Sequence, residues 1–358
     1  MPATDPAAGR PEVSVIVPAR NEEACLGACL QSLISQNDAA QNGTAFEIIV
    51  VDDHSTDRTR EIASSFSGPL VRVIEAGALP AGWSGKNNAV TAGSKAARGD
   101  WFLFTDADTI HLPGSLTGSL AEAKRHGAAL LSYSPEQIVK GFWEKAVMPV
   151  IFAELAAGYR PSQVNDPKSP AAAANGQYIL ITREAYDAVG GHAALAGSLL
   201  EDVALARAVK RSGRKIFFRF GGNAVRTRMY RNFSQLREGW TKNLALLFPL
   251  PVRLAALRAI EFLLIIASSA ITVVAALRGH RHPAVVTGVL CALVYGLFLA
   301  RIRRAHFAWD ANILALFGLP VFSYLLLCSA RAHAKGSVSW KGRKYSESEE
   351  GCLLATGN

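Results

Sequence analysis

The sequence predicts an α/β domain built on a parallel sheet, followed by apolar helices that associate with a membrane. In the first two-thirds of the chain, short apolar runs alternate with segments of helical pattern, as in sheets covered by helices on both faces. Beyond Arg258, three stretches without Asp, Glu, Lys or Arg follow one another. A length of 358 residues accommodates one large domain with an appendage.

The predicted strands are short and end in polar residues. The first is Val13–Pro18, and a helix with Asn21 as its N-cap is expected after it. Further strands are predicted at "FEIIVV", "LVRVIEA" and "WFLFTDAD", with Ser55, Thr56 and Asp57 as cap candidates after the second. Because parallel strands present their carboxyl ends at one edge, the polar residues after them are expected to line one crevice.

Two aspartates lie two residues apart at the end of the fourth predicted strand, in "LFTDADT". Asp106 and Asp108 can project toward one hard cation, and Mg²⁺ or Mn²⁺ is commonly bound by one or two carboxylates plus substrate phosphates. The alternative is a turn in which the aspartates accept hydrogen bonds from nearby backbone amides. The pair Asp52 and Asp53 follows a neighbouring strand, where it needs donors or a cation to offset its charge.

Two further segments contribute candidate site residues. In "GWSGKNNA", Lys86 lies near a helix start and either contacts a nucleotide phosphate or is an ordinary solvated lysine. In "LLEDVALA", Glu201 and Asp202 begin a helix, where acids also act simply as partners of the helix dipole.

The ordered set "VIVPARNEE", "VVDDHSTDRT", "GWSGKNNA", "FTDADT" and "LEDVALARAVKRSG" resembles glycosyltransferase family 2, over roughly Val13 to Phe218. The segments "GWSGK" and "SWKGRKY" resemble the membrane-associated subgroup of hopene-associated and carotenoid glycosyltransferases. The resemblance implies a GT-A fold, a Rossmann-like nucleotide-binding sheet with helices on both faces, followed by C-terminal transmembrane helices.

The resemblance also implies roles for individual residues. Asp202 matches the general base, with Glu201 beside it, and Asp106 and Asp108 would hold a divalent metal, Mg²⁺ or Mn²⁺, with the donor diphosphate. The carboxylate would take the acceptor's proton as the acceptor attacks the sugar. A single displacement of this kind inverts the anomeric configuration. Either Asp52 or Asp53 would contact the nucleotide base or ribose. The candidate residues for binding the nucleotide-sugar are Pro18, Ala19, Asn21, Glu22, Asp52, Asp53, Lys86 and Asp106.

One motif departs from the family pattern. Many processive members and members with lipid acceptors carry Gln-x-x-Arg-Trp before the membrane helices, whereas this chain has "QLREGW". The mismatch favours single transfer over polymer synthesis. Candidate residues for the acceptor or diphosphate side are Trp240, Arg228, Arg231 and Arg237.

The three apolar runs are candidate membrane helices, with a buried helical core as the alternative. They are Phe262–Leu277, Ala284–Ala300 and Ala311–Ala330. Three spans would put the basic tail opposite a cytoplasmic catalytic domain, against the positive-inside tendency. Two or four passes, a re-entrant run or an exception to the rule remain open, and "FPLPVRLAAL" is a possible fourth element.

The predicted regions are a disordered tail at 1–12, a GT-A domain at 13–240, membrane helices at 241–334 and a basic, then polar tail at 335–358.

The charge distribution indicates which partners the chain binds, and the N-terminal composition indicates on which side of the membrane it lies. The net charge of +9 is concentrated near the apolar runs and fits anionic lipid headgroups, and no nucleic-acid motif is present. The first twelve residues, "MPATDPAAGRPE", lack the apolar core of a signal peptide. We therefore expect a multi-pass protein of the inner or plasma membrane with a cytoplasmic catalytic domain.

Three functions remain to be separated. The leading prediction is an inverting transfer from a nucleotide-diphosphate sugar, UDP-sugar first, to a lipid hydroxyl. A polyprenyl-phosphate glycosyl synthase would act on an acceptor that is already ionised, so Asp202 would be dispensable. A catalytically silent nucleotide-sugar-binding scaffold in a lipid-synthesis complex is the third.

Overall fold

The computed structural model of the protein describes residues 10–37, 44–340 and 343–345. Its contacts divide the chain into two compact units. The catalytic unit, as we call it, contains the chain up to Ile138 together with Tyr159–Arg228, and the helical unit contains Val139–Gly158 and the chain from Met229 onward. The domain boundary predicted at residue 240 rests on motifs alone, and the division by contacts falls at 229.

Both predicted tails lie largely outside the described residues. Of the tail predicted at 1–12, residues 10–12 are described, and there the Glu12 N–H donates to the Ala45 carbonyl at 2.7 Å. Of the tail predicted at 335–358, the residues 335–340 and 343–345 are described.

Most strands belong to the catalytic unit and are short and buried. The strands are β1 (Val13–Ala19), β2 (Phe46–Asp52), β3 (Val71–Glu75), β4 (Trp101–Phe104), β5 (Thr109–His111), β6 (Leu130–Ser134), β7 (Glu136–Gln137), β8 (Ile179–Thr182), β9 (Ile216–Phe220), β10 (Val225–Thr227), β11 (Val338–Trp340) and β12 (Arg343–Tyr345).

The helices of the catalytic unit are short, whereas the last three helices of the chain are long. The helices are α1 (Leu26–Ile34), α2 (Thr59–Ser65), α3 (Gly85–Ala96), α4 (Ser115–His126), α5 (Phe142–Gly158), α6 (Pro161–Val164), α7 (Arg183–Ala188), α8 (Glu201–Arg211), α9 (Phe233–Leu247), α10 (Pro251–Leu277), α11 (Arg281–Ile302) and α12 (Trp309–Ala334).

The catalytic unit is built on a seven-stranded sheet with helices on both faces. The strand order is β3-β2-β1-β4-β8-β6-β9. One apolar cluster packs α1, α2 and α4 against the sheet, and a second packs α3, α7 and α8. The sheet is mixed rather than wholly parallel, because β8 runs antiparallel to both β4 and β6. The parallel arrangement predicted from the sequence holds for β1 to β4 but not for β8.

The first helix begins later than the sequence pattern predicts. It starts at Leu26 rather than just after Asn21, and Asn21 adopts a left-handed conformation with φ of 52°. Its side chain instead accepts a hydrogen bond from the Thr56 N–H at 2.9 Å, across to the next strand–helix loop. None of the three cap candidates after β2 is the N-cap of α2, which is Arg58 and makes no side-chain capping bond. Asp57 lies just before it, and its carboxylate accepts the Thr59 N–H at 3.0 Å.

The helical unit contains the three predicted apolar runs as α10, α11 and α12. Each is long and apolar enough to cross a membrane. The segment "FPLPVRLAAL" forms no separate element among the described residues, because Pro251–Leu257 is the first part of α10. The aromatic segment at Phe142–Gly158 is a packed helix with nine buried residues, although Phe142 and Trp143 at its start are exposed.

Candidate active site

The strand register brings the predicted site residues to one edge of the sheet. Ala19 at the end of β1 pairs with Asp52 at the end of β2. Ile16 pairs with Phe104 at the end of β4, so Asp106, two residues further on, is level with Pro18. This alignment places the residues that follow the carboxyl ends of the three strands at one edge of the sheet.

The loops after β1 and β2 are held together by hydrogen bonds. The Arg20 guanidinium donates to the Asp53 carbonyl at 2.6 Å, and the Asn21 side chain accepts the Thr56 N–H. The Glu22 N–H donates to the Thr59 hydroxyl at 2.7 Å. These bonds fix the backbone of both loops at the mouth of the crevice.

The two aspartates at the end of β2 are almost fully buried. Asp52 is 2% exposed and accepts the Ser55 N–H at 3.3 Å, and Asp53 is 4% exposed with its carboxylate 3.6 Å from His54 Nδ1. Burying two adjacent carboxylates is unfavourable unless donors surround them. The neighbouring amide and imidazole supply part of that compensation.

Lys86 joins two of the predicted acidic segments. It is the second residue of α3, a helix whose N-cap Ser84 accepts the Asn87 N–H. Its ammonium lies 2.8 Å from Asp106 Oδ1 and 2.9 Å from Glu201 Oε1. Burial opposes a charged lysine, but Asp106 and Glu201 outweigh this and hold the pKa of Lys86 well above its usual value.

Asp202 is fixed by backbone donors beside this ion pair. Its two carboxylate oxygens accept the Gly176 N–H at 3.0 Å and the Val203 N–H at 2.8 Å. Burial and the neighbouring Glu201 raise the pKa of Asp202 to about 6, although Lys86 and the two amides act in the opposite direction. The group is therefore mostly ionised at neutral pH but protonates readily below pH 6.

A buried polar network holds the loop that carries Asp106 and Asp108. The Thr105 hydroxyl donates to the Gln177 carbonyl at 2.9 Å and lies 2.9 Å from the Thr109 hydroxyl. The Thr109 hydroxyl also donates to the Asp106 carbonyl at 2.7 Å. The loop is thus a defined turn rather than a continuation of β4. These bonds are made by threonine hydroxyls, whereas the turn alternative from the sequence had the aspartate carboxylates accept backbone amides.

The donor set of this loop fits a divalent cation shared with a ligand. Asp106 is partly exposed and lines the pocket, whereas Asp108, two residues further on, is half-buried and is not among the lining residues. Among the described residues, no group of three or more His, Cys, Asp or Glu side chains could hold a metal alone. The remaining ligands would therefore come from a diphosphate, and such a cation would compete with Lys86 for Asp106.

A small pocket opens among these groups, and it includes residues that the sequence analysis missed. Gly176 lets the backbone approach the ion pair, because a Cβ there would lie 2.8 Å from Lys86 Nζ. His192 is 2% exposed, with Nδ1 3.0 Å from the Tyr186 hydroxyl, and burial lowers its pKa to about 4. The lining residues are Pro18, Lys86, Val90, Phe104, Thr105, Asp106, Gly176, Ile179, His192, Glu201 and Asp202.

The four candidates for the acceptor side are not among the residues that line this pocket. Trp240 is buried in the helical unit, where its indole N–H donates to the Met148 sulfur at 3.4 Å. Arg231 and Arg237 are exposed, and Arg228 is half-buried. Their contact with an acceptor remains a prediction.

Comparison with known proteins agrees with the motifs. Residues 14–190 match the model described as Glycosyl transferase family 2. The chain is 28% identical over 345 residues to 4,4'-diaponeurosporenoate glycosyltransferase of Staphylococcus aureus strain USA300, covering 94% of this chain and 89% of the relative. The same enzyme of strain MRSA252 is 30% identical over 236 residues, covering 65% and 60% of the two chains.

A solved structure gives a weaker likeness. The mannosyltransferase PcManGT from Pyrobaculum calidifontis, in complex with GDP-Man and Mn²⁺, is 16% identical with a TM-score of 0.46, over 90% of this chain and 87% of that one. The predicted fold class is confirmed by the family match and by the observed sheet, which is followed by three apolar helices. Residues 14–190 are thus similar to glycosyltransferase family 2, and the chain resembles a carotenoid glycosyltransferase over nearly its whole length.

Proposed function

We propose that this glycosyltransferase moves a sugar from a nucleotide-diphosphate sugar, with UDP-sugar as the first candidate, to a hydroxyl of a membrane lipid, with inversion. The observation that carries the proposal is Asp202. Its carboxylate is fixed by two backbone amides in the same pocket as Asp106.

Asp202 has the properties of a general base. A base works best when its pKa lies near the working pH, and burial beside Glu201 brings the pKa of Asp202 to about 6. The two amide donors fix the orientation of the carboxylate, so its protonation does not require a rearrangement. Asp202 would take the acceptor's proton as the acceptor oxygen attacks the anomeric carbon and the bond to the diphosphate breaks.

The donor would bind along the edge formed by β1, β2 and β4. Asp52 and Asp53 provide buried acceptors for the donor-rich base and ribose of a nucleotide. Asp106 and Asp108 would hold Mg²⁺ or Mn²⁺ together with the diphosphate, and the cation would neutralise negative charge on the leaving group. Lys86 would remain near this charge as a second cationic group.

The apolar helices support a lipid acceptor. Three helices that could cross a membrane follow the catalytic residues, and the relative from S. aureus is named for action on diaponeurosporenoate. A chain anchored in this way keeps a water-soluble donor next to an apolar acceptor. We propose the inner or plasma membrane as the location, with the catalytic unit on the cytoplasmic side.

A second acceptor class is favoured by the relative's name. The ending of diaponeurosporenoate denotes a carboxylate, which is already ionised at neutral pH, like the phosphate of a polyprenyl phosphate. Such an acceptor needs no proton removed, so Asp202 would contribute little to its transfer. The activity of Asp202→Asn with each acceptor class separates the two functions.

The first test is a donor screen with purified protein in detergent. Release of the nucleotide diphosphate would be followed from UDP-, GDP- and TDP-sugars with Mg²⁺ or Mn²⁺, and then with a chelator. We expect release from one donor, its loss with the chelator and in Asp108→Ala, and its retention in Asp187→Ala, which alters an exposed acid on α7. Absence of both release and donor binding would contradict the proposal.

A further inference from the structure

We propose that only α10 and α11 cross the bilayer, and that α12 begins and ends on the side from which α10 enters. The chain would then make two passes and return its C-terminal tail to the side of the catalytic unit. The proposal rests on contacts within the helical unit and is independent of the proposed reaction.

Ion pairs fix the end of α11 beside the first half of α10. The Arg301 guanidinium lies 2.7 Å from Glu261 and 3.4 Å from Glu154 of α5. Arg258 lies 2.8 Å from the same Glu261 and 3.0 Å from Glu154. We call these four residues the helix charge cluster.

The rest of α10 and α11 forms an antiparallel hairpin away from this cluster. Ser269 contacts Cys291 at 3.0 Å, and the Thr272 hydroxyl donates to Thr287 at 2.8 Å. The two helices are then joined by a short turn around Gly279. A hairpin of this length, with its charges at the open end, is suited to crossing the bilayer and returning.

The start of α12 must therefore lie near the same side. The segment 303–308 is the whole link between α11 and α12, and it spans at most about 25 Å even when fully extended. Residues Arg303–Ala305 shorten it further by forming a helical turn. The apolar core of a bilayer is about 30 Å thick, so this link cannot carry the chain to the opposite face.

The groups at the start of α12 suit an interface between lipid and water. Arg303, Arg304 and Asp310 are exposed, and the Arg303 guanidinium lies 5.4 Å from the centre of the Trp309 ring. Tryptophan beside basic residues is typical of the headgroup region.

The end of α12 lies beside α9, which directly precedes α10. The Ala245 N–H donates to the Ser329 hydroxyl at 2.9 Å, and His333 Nε2 lies 2.8 Å from the Lys242 carbonyl. No candidate span precedes α10 among the described residues. The end of α12 is therefore on the side of the catalytic unit.

The surfaces of the helices agree with this topology. In the most apolar windows of α10 and α11, 17% and 6% of residues are buried, as expected for a hairpin surrounded by lipid. The value for α12 is 44%, and its exposed apolar residues form one stripe at helical spacing. A single apolar stripe suits a helix that contacts the acyl chains of one leaflet. The stripe consists of Trp309, Ile313, Phe317, Tyr324 and Leu327.

This topology also removes the conflict in the charge pattern. With three passes, Lys335 and the basic segment "KGRK" would lie opposite the catalytic unit. With two passes, only the short turn with Arg278 and Arg281 lies on the far side, and the basic tail stays inside.

The test is labelling of single cysteines by a membrane-impermeant maleimide in spheroplasts and in inside-out vesicles. The five native cysteines are first replaced in the full-length chain, and Glu61→Cys, His282→Cys and Ser337→Cys are introduced one at a time. These positions are exposed and lie in the catalytic unit, at the turn between α10 and α11, and just beyond α12. We expect labelling of position 282 in spheroplasts, and of positions 61 and 337 only in inside-out vesicles.

Labelling of positions 337 and 282 from the same side would overturn the proposal, whichever side labels position 61. A second measurement avoids the cysteine replacements. An epitope tag after Asn358 of the otherwise unaltered chain should be removed by protease in inside-out vesicles and protected in spheroplasts. The reverse pattern would show that α12 crosses the bilayer.

Discussion

The two units each contain a cluster of charged side chains, and the balance of charge differs between them. In the catalytic unit, three carboxylates surround one ammonium, that of Lys86. The ammonium forms ion pairs with Asp106 and Glu201 and lowers the pKa of Asp202 electrostatically. In the helical unit, the helix charge cluster pairs two glutamates with two arginines.

This difference indicates what each cluster is for. A set with equal numbers of positive and negative groups, largely removed from solvent, balances its own charge and can act as a structural joint between α5, α10 and α11. An acidic excess is not satisfied by the protein alone, so it favours a cation or a donor-rich ligand and raises the pKa of Asp202. Each prediction below removes one group from one cluster or from its support.

The largest effect is expected from Asp202→Asn. The amide keeps the size of the side chain but cannot take a proton, so kcat with a hydroxyl acceptor should fall by about 10²–10⁴-fold. Donor binding should stay close to that of the unaltered protein. The unfolding midpoint should fall slightly, because the new amide nitrogen cannot accept one of the two backbone N–H groups that the carboxylate accepts. The measurement is initial-rate kinetics with donor affinity determined separately.

Asp187→Asn is the matched control, since this exposed acid lies on α7 and does not line the pocket. Unchanged kcat in Asp202→Asn with a hydroxyl acceptor would remove Asp202 from the mechanism. Unchanged kcat with a carboxylate or phosphate acceptor would instead favour the second acceptor class.

Removing one member of the balanced cluster should affect stability rather than chemistry. In Glu154→Gln, the guanidiniums of Arg258 and Arg301 lose a shared carboxylate, which should lower the free energy of unfolding by about 3 kcal/mol. The measurement is thermal unfolding in detergent, followed by intrinsic fluorescence. Asp310→Asn, which alters an exposed ion pair with Lys145, should change the midpoint little. Equal midpoints for the two variants would show that the cluster is not a joint.

Much of the fold followed from local sequence patterns. The first four strands, the long apolar helices and the acidic start of α8 were predicted because their signals lie within a few neighbouring residues. The antiparallel direction of β8 was not, since strand direction depends on pairing with β4 and β6, which are distant in sequence.

The same limit explains which site residues were missed. Gly176 precedes β8, and because β8 is antiparallel, its first residue Ile179 pairs with Phe104 at the end of β4. The start of β8 therefore lies at the edge where the parallel strands end, which no local pattern reveals. Likewise, the sequence left Lys86 as either a phosphate contact or a solvated lysine, and it could not show that the ammonium lies between Asp106 and Glu201.

The third prediction tests the influence of Lys86 on Asp202. Activity that needs an ionised Asp202 should rise as the pH passes through about 6, since its pKa lies near that value. Burial and Glu201 raise this pKa and Lys86 lowers it, so Lys86→Met should move the midpoint of the pH–rate profile to higher pH. The loss of activity should be greater at pH 6 than at pH 8.

The control is Lys95→Met, which removes an exposed lysine from the same helix α3. Its pH–rate midpoint should match that of the unaltered protein. A midpoint in Lys86→Met that is unchanged, or lower, would show that the ammonium does not stabilise the ionised base.

The smallest effect on kcat is expected from Thr105→Val. Thr105 supports the loop that carries Asp106 but has no charge of its own. Valine keeps the shape of threonine but loses the hydroxyl that donates to Gln177 and contacts Thr109 and His111. The loss of about 1 kcal/mol of hydrogen bonding should loosen the loop that carries Asp106 and lower kcat about fivefold. Thr117→Val, at an exposed position on α4, should leave kcat unchanged. If Thr105→Val lowered the unfolding midpoint but left kcat intact, the network would stabilise the sheet edge without positioning Asp106.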